Sequence, residues 1–95
     1  MFEHLADVSL DTLRVFEAAA RLHGFTAAAL ELGTTQPAVS QQVKRLEAQL
    51  GTRLFDRIYR GIELTEAGQL LFEHVSQAMY TLDDGIAQAS GRHQR

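Results

Sequence analysis

The residues best suited to chemistry lie in one run, Thr35-Gln36-Pro37-Ala38-Val39-Ser40-Gln41-Gln42-Val43-Lys44-Arg45. At ~100° per residue, Val39, Val43, Leu46 and Leu50 form one narrow apolar stripe of a helix. Pro37, Gln41, Lys44 and Ala48 fall on the opposite face, with Ser40 and Arg45 at its edges. Such a helix buries one side and offers amides, a hydroxyl and cations on the other. Glutamine can pair bidentately with the N6/N7 edge of adenine, and Thr or Ser can read several base edges. Lysine and arginine suit phosphates. Taken singly these residues are more often a solvated helix face; Lys44 has Glu47 three residues on as an ordinary ion-pair partner, whereas Arg45 has no acid at the facing spacings.

Other chemistries lack their residues. The 95-residue chain has no cysteine, which excludes a disulfide framework, a thiolate zinc site and a cysteine nucleophile. His4, His23, His74 and His93 are scattered without metal-ligand spacing. No carboxylate pair suggests general acid–base work, and no glycine-rich phosphate loop occurs. Neither an enzyme nor a metal or cofactor site is expected. No apolar run approaches the ~18 residues of a membrane span. The first ten residues carry Glu3 and Asp7 where a secretory signal needs a basic start. The expected location is cytoplasmic, with the nucleoid.

The net charge of −3 hides an uneven distribution. Residues 21–60 hold Arg21, Lys44, Arg45, Arg53, Arg57 and Arg60 against Glu31, Glu47 and Asp56, while both flanks are acidic. A basic centre between acidic flanks suits a localised anionic partner.

The elements that must position these groups follow from caps and periodicity. Ser9 caps a first helix that runs to about Leu22, with Leu10, Leu13, Phe16 and Ala20 on one face beside Glu17. His23-Gly24 ends it, Gly24 being free to take positive φ, and Phe25 tucks into the core. Thr26 caps a short second helix, Ala27 to Leu32, and Gly33 stops it. Thr35 caps the third helix, Pro37 sits in its first turn, and Gly51 follows its end at Leu50. Arg53–Arg57 reads as a strand, Ile58–Gly61 as a turn and Ile62–Leu64 as the return strand, a hairpin with a basic tip. Thr65 and Glu66 open a last helix of about 24 residues, or ~36 Å. Along it Phe72, Val75, Met79, Leu82 and Ile86 repeat with spacings of three and four, a heptad seam. A small core cannot cover a helix of that length, so part of the seam is expected to meet a second copy. Gly91–Arg95 reads as a frayed end or the start of a linker.

Helix, short turn with Gly33, then a helix with a polar outer face is the order of a helix-turn-helix, whose second helix fits the ~12 Å major groove of B-DNA. The expected fold is mainly α: a winged helix-turn-helix, with a three-helix core and a short hairpin wing, followed by a long linker helix. The run Phe25–Leu32, the run Thr35–Glu47, Leu50–Arg57, Arg60-Gly61 and Leu64–Gly68 together resemble the DNA-binding domain of LysR-type transcriptional regulators over roughly residues 9 to 90.

That resemblance implies a bacterial transcription regulator that binds double-stranded DNA as a dimer on an inverted repeat near a promoter, with RNA polymerase as a further candidate partner. It implies a winged helix-turn-helix over 1–65, a linker and dimerisation helix over 66–95, and an effector-binding domain absent from this chain. Base-reading residues of the family stand where Gln36, Pro37, Ser40 and Gln41 are, and the wing arginine corresponds to Arg60, with Arg53 and Arg57 near the backbone. Thr26, Thr35, Lys44 and Arg45 complete the expected DNA-binding set; Phe72, Val75, Met79, Leu82 and Ile86 form the expected dimer seam. Position 27 is often arginine in the family and is Ala27 here, so that phosphate contact is missing. Position 41 is commonly arginine or histidine and is Gln41 here, which leaves the preferred base at that step open. The competing reading is a protein-interaction module that uses the linker seam to capture a longer relative; the basic, amide-rich outer face of the third helix favours DNA.

Overall fold

A computed structural model describes residues 1–91. Expectations for the residues beyond Gly91 lie outside the described part. Four helices and one hairpin follow in the order α1 (Leu10–Leu22), α2 (Phe25–Leu32), α3 (Gln36–Leu50), β1 (Phe55–Ile58), β2 (Gly61–Leu64) and α4 (Glu66–Ala89).

Side-chain caps start three of the helices as their sequences predict. Ser9 Oγ accepts from the Thr12 amide, Thr35 Oγ1 from that of Ala38 and Thr65 Oγ1 from that of Gly68, at 3.0–3.2 Å. Each cap satisfies one amide that has no partner in the first helical turn. The start of α2 departs from expectation. His23, not Gly24, takes the left-handed conformation (φ 57°), and Gly24 is extended at φ −176°. The amides of His23 and Gly24 both turn back to the Ala19 carbonyl, and the Gly24 carbonyl already accepts from Ala28. With two residues between the helices, Gly24 must begin the second while still tied to the first, so the bend falls on His23. Helix α2 therefore starts at Phe25, and Thr26 sits in its first turn instead of capping it.

The core lies among α1, α2 and α3, closed by the hairpin and the first half of α4. Phe16, Leu46, Leu54 and Val39 are its largest fully buried side chains. Ala18, Ala19 and Ala20 of α1 and Ala28 and Ala29 of α2 are all buried, and side chains this small let packed helices approach closely. The buried side of α1 is broader than the expected stripe. It takes in Thr12, Val15, Ala18 and Ala19, while Leu10 is exposed, because α1 packs against α2, α3 and α4 at once. On α3 the predicted stripe holds for Val39, Val43 and Leu46; Leu50, at the helix end, is exposed.

Phe55 anchors the hairpin, its ring 5.5 Å from Phe16 and edge-on to Phe25 at 5.6 Å. The strands pair from Phe55↔Leu64 to Ile58↔Gly61, so the expected four-residue turn contracts to Tyr59-Arg60 and β1 begins two residues later than predicted. Backbone bonding gives the reason. The Arg53 carbonyl accepts from Thr65 Oγ1 (2.7 Å), the Leu54 carbonyl from the Thr65 amide (3.0 Å), and the Leu54 amide donates to Glu47 Oε2 (2.7 Å). Arg53 and Leu54 are thus committed to α3 and to the start of α4 before the ladder begins.

Helix α4 meets this junction so closely that a Cβ on Gly68 would collide with the Leu54 carbonyl oxygen and come within 2.9 Å of Leu64 Cδ2. Its heptad seam then divides. Phe72, Val75 and Met79 pack on the chain's own core, whereas Leu82 and Ile86 are 45% and 64% exposed. Among the described residues no helix is long and apolar enough to cross a membrane.

Candidate nucleic-acid interface

The outer face of α3 and the hairpin together make one surface. Gln36, Pro37, Ser40, Gln41, Lys44 and Arg45 line an open depression along α3. A second depression, between α3 and the hairpin, is lined in part by Ser40, Lys44, Arg53 and Arg57. A third lies between the starts of α2 and α3 and the hairpin, and Thr26, Gln36, Arg57 and Arg60 contribute to it. Gln36, Ser40, Lys44 and Arg57 each belong to two of these, so the three are continuous. Thr35 lines none of them; its hydroxyl oxygen caps α3. The sequence-predicted residues of two segments that are distant in the chain thus share one side of the molecule.

The folded chain decides which cations stay available. Glu47, the sequence neighbour that could have neutralised Lys44, turns away to accept from the Leu54 and Phe55 amides at 2.7 and 3.3 Å. Among the described residues no ion pair engages Lys44, Arg45, Arg57 or Arg60. Arg53 differs. Its guanidinium donates to the Phe55 carbonyl (3.0 Å) and to Asp56 Oδ1 (3.1 Å), which steadies the entry to β1. Arg21 also leaves the basic count. It bridges Glu17 on α1 and Glu31 on α2, and hydrogen bonds to Glu31 first and Glu17 second hold its pKa above the ordinary value. The same bond from Arg21 lowers the pKa of Glu31. The positive charge therefore concentrates on α3 and the hairpin, away from α1.

Two positioning contacts were not anticipated from sequence. Thr12, 5% exposed, receives a hydrogen bond from Ser9 Oγ (3.1 Å) and donates to Gln42 Oε1 (2.8 Å). This chain of hydroxyls and amide fixes the rotation of α3 against α1, and so which of its residues face outward. It also gives Gln42, at the packed flank, a structural partner. The second contact is the Glu47 carboxylate cap on Leu54 and Phe55, which ties the hairpin to α3. A polar residue at a buried spacing is the one sequence signal for Thr12; for Glu47 there is none, since an acid three residues from a lysine reads as an ion pair. Among the described residues no group of His, Asp or Glu is arranged to hold a metal.

An anion can meet this surface in two ways. The α3 N-terminus carries the positive end of the helix dipole; Arg57 and Arg60 share a depression with Gln36 at that end, and Lys44 and Arg45 lie further along the helix. The amides and hydroxyl between them provide donors and acceptors that can discriminate a hydrogen-bonding edge, which charge alone cannot.

Known proteins are similar to this chain in sequence and in fold. A regulator of Sinorhizobium fredii (strain NGR234), described as an uncharacterized HTH-type transcriptional regulator, y4mQ, is 49% identical over 90% of the chain and 29% of its own length. The HTH-type transcriptional regulator BudR of Klebsiella aerogenes is 46% identical over 88% of the chain and 59% of its own. The chain thus spans between about three-tenths and three-fifths of these relatives. Among solved structures, the DNA-binding domain of CbnR in complex with DNA matches with a TM-score of 0.77 at 31% identity, covering 90% of this chain and 99% of that one. Residues 10–69, from the first residue of α1 to the first turn of α4, match the model of the bacterial regulatory helix-turn-helix proteins of the lysR family, and the chain belongs to that family.

Proposed function

We propose that this chain is the sequence-specific, double-stranded-DNA-binding part of a bacterial transcription regulator. Residues 1–65 supply the DNA-contacting unit. Helix α3 enters a major groove with its N-terminal end leading, so that Gln36, Pro37, Ser40 and Gln41 meet base edges. Lys44 and Arg45 reach phosphates, and the wing places Arg57 and Arg60 at the backbone or in the adjacent minor groove, where a narrow A·T tract attracts arginine. Thr26 and Thr35 lie near the same backbone, and Arg53 approaches it from its bond to Asp56. The observation that carries this reading is the single surface on which an amide-rich helix face and four cations without ion pairs converge.

The segment 66–95, of which Glu66–Ala89 form α4, serves for linking and dimerisation, and the first turns of α4 also complete the core. Leu82 and Ile86, exposed at the far end of the seam begun by Phe72, Val75 and Met79, meet a second copy. A two-fold pair of recognition helices then imposes an inverted repeat on the site. RNA polymerase is a candidate partner at the promoter, and the protein works in the cytoplasm at the nucleoid.

Selection from a random duplex library at moderate salt tests the reading, with Gln36→Ala as control. Enrichment of an inverted repeat by the wild type, lost in the variant, is the expected result and yields the operator. Salt-sensitive binding without enrichment would overturn direct readout and favour the protein-interaction reading.

A further inference from the structure

The tip of the hairpin holds a contact that the proposed function does not use. Because Ile58 pairs with Gly61, the loop consists of Tyr59 and Arg60 alone. Arg60 occupies the left-handed region at φ 65°, a conformation that a residue with a Cβ adopts at a cost. Its guanidinium carbon lies 5.0 Å from the centroid of the Tyr59 ring, within the ~6 Å range of a cation–π contact. Tyr59 is 85% exposed and takes no part in the core. Packing therefore gives no reason for an aromatic residue here, and among the described residues its ring engages nothing but Arg60.

We propose that Tyr59 is a positioning residue that holds the Arg60 guanidinium at the wing tip, so that the two act on the duplex as one unit. The proposal rests on the DNA-binding reading above. A free arginine side chain loses rotamer freedom when it is fixed on a ligand. A ring that already orders the guanidinium removes part of that loss before binding. A guanidinium has five N–H donors, so a contact with one ring face leaves donors free to bond phosphate or base acceptors. If the ring instead competed with DNA for the cation, removing it would tighten binding, so the sign of the effect is diagnostic.

The full chain is titrated with the duplex enriched in the selection across a salt series, as wild type, Tyr59→Phe, Tyr59→Leu, Arg60→Ala and Tyr59→Leu/Arg60→Ala. Melting curves check that each variant is folded; the exposed position makes unfolding unexpected. Tyr59→Phe is expected to bind within twofold of wild type, because the ring is kept. Tyr59→Leu is expected to weaken binding about two- to fivefold with the salt slope unchanged, since no charge is lost. Arg60→Ala is expected to lower the slope by about one unit, and on that background Tyr59→Leu is expected to have no further effect. Unchanged or tighter binding by Tyr59→Leu, or an equal loss with and without Arg60, overturns the positioning role. Those results leave the DNA reading intact. That reading fails separately if the wild type does not discriminate between duplexes, and the proposal for Tyr59 then fails with it.

Discussion

Helix α3 and the outer half of α4 both turn a face away from the core, but the two faces suit different chemistry. On α3 the exposed groups are amides, a hydroxyl and cations, which water satisfies until an anion with matching edges displaces it. On α4 they are Leu82 and Ile86, for which water offers no partner and which gain only when covered by another apolar surface. The first half of α4 shows what that cover looks like, since Phe72, Val75 and Met79 continue the same seam against the chain's own core. One seam is thus divided between core and solvent because the helix outruns the domain. The difference also sets a salt test: attraction between α3 and a polyanion falls steeply as salt rises, and association through the α4 seam does not.

The largest expected effect comes from the junction that seats α4 on the domain. Gly68→Ala places a methyl group against the Leu54 backbone, which cannot swing aside as a side chain would. A loss at or above the upper end of the ~1–3 kcal/mol typical of overpacking is expected in thermal or urea melts. An unchanged melt would mean that α4 is an appendage and not part of the domain. Next comes Gln41→Ala, which is expected to cost ~1–3 kcal/mol of discrimination at one base step while stability stays within ~0.5 kcal/mol. If stability fell along with affinity, the outward face of α3 would be a structural one. Ile86→Ser acts on the other face. Full burial of such a side chain is worth ~1.5–3 kcal/mol, so self-association weaker by at least about tenfold is expected by sedimentation, with the melt of the core unaffected. A dimer of undiminished strength would move the interface elsewhere.

The smallest effect is on pH dependence. Arg21 lowers the pKa of Glu31 in the folded chain from the ordinary 4.5, so this carboxylate stabilises the fold above that value and loses its contribution as pH falls through the lowered one. Glu31→Gln is expected to make acid unfolding in that window slightly shallower. A steeper acid limb would contradict the assignment. The pair is exposed, and such pairs are weak, so the effect tests where the charge on α1 and α2 is spent and not what holds the fold together.

Much of this was legible from residue order. The Ser9, Thr35 and Thr65 caps, the stop at Gly33, and the stripe Val39, Val43 and Leu46 act within one or two helical turns, where chain proximity dominates. The same locality marked Pro37, Gln41 and Lys44 as one face, with Ser40 and Arg45 at its edges. The elements misplaced from sequence are those whose first residues have backbone groups already bonded to a neighbouring element. Helix α2 begins two residues early because Gly24 remains bound to Ala19, and β1 begins late because Arg53 and Leu54 bond to Thr65 and Glu47.

From sequence alone came the helices, the caps of three of them, the apolar and polar faces of α3, and the resemblance that placed the wing arginines beside it. Tertiary structure decided which charges remain unpaired and which part of the α4 seam is still open. Glu47 faces either Lys44 or the hairpin amides according to where β1 lies, and Arg21 is neutralised because α1 and α2 bring Glu17 and Glu31 to it from two helices. Val75 is buried and Ile86 is not, although both obey one heptad spacing, because the core ends between them. Periodicity states which residues share a face; what that face meets depends on the position of other segments in space, which local spacing does not encode.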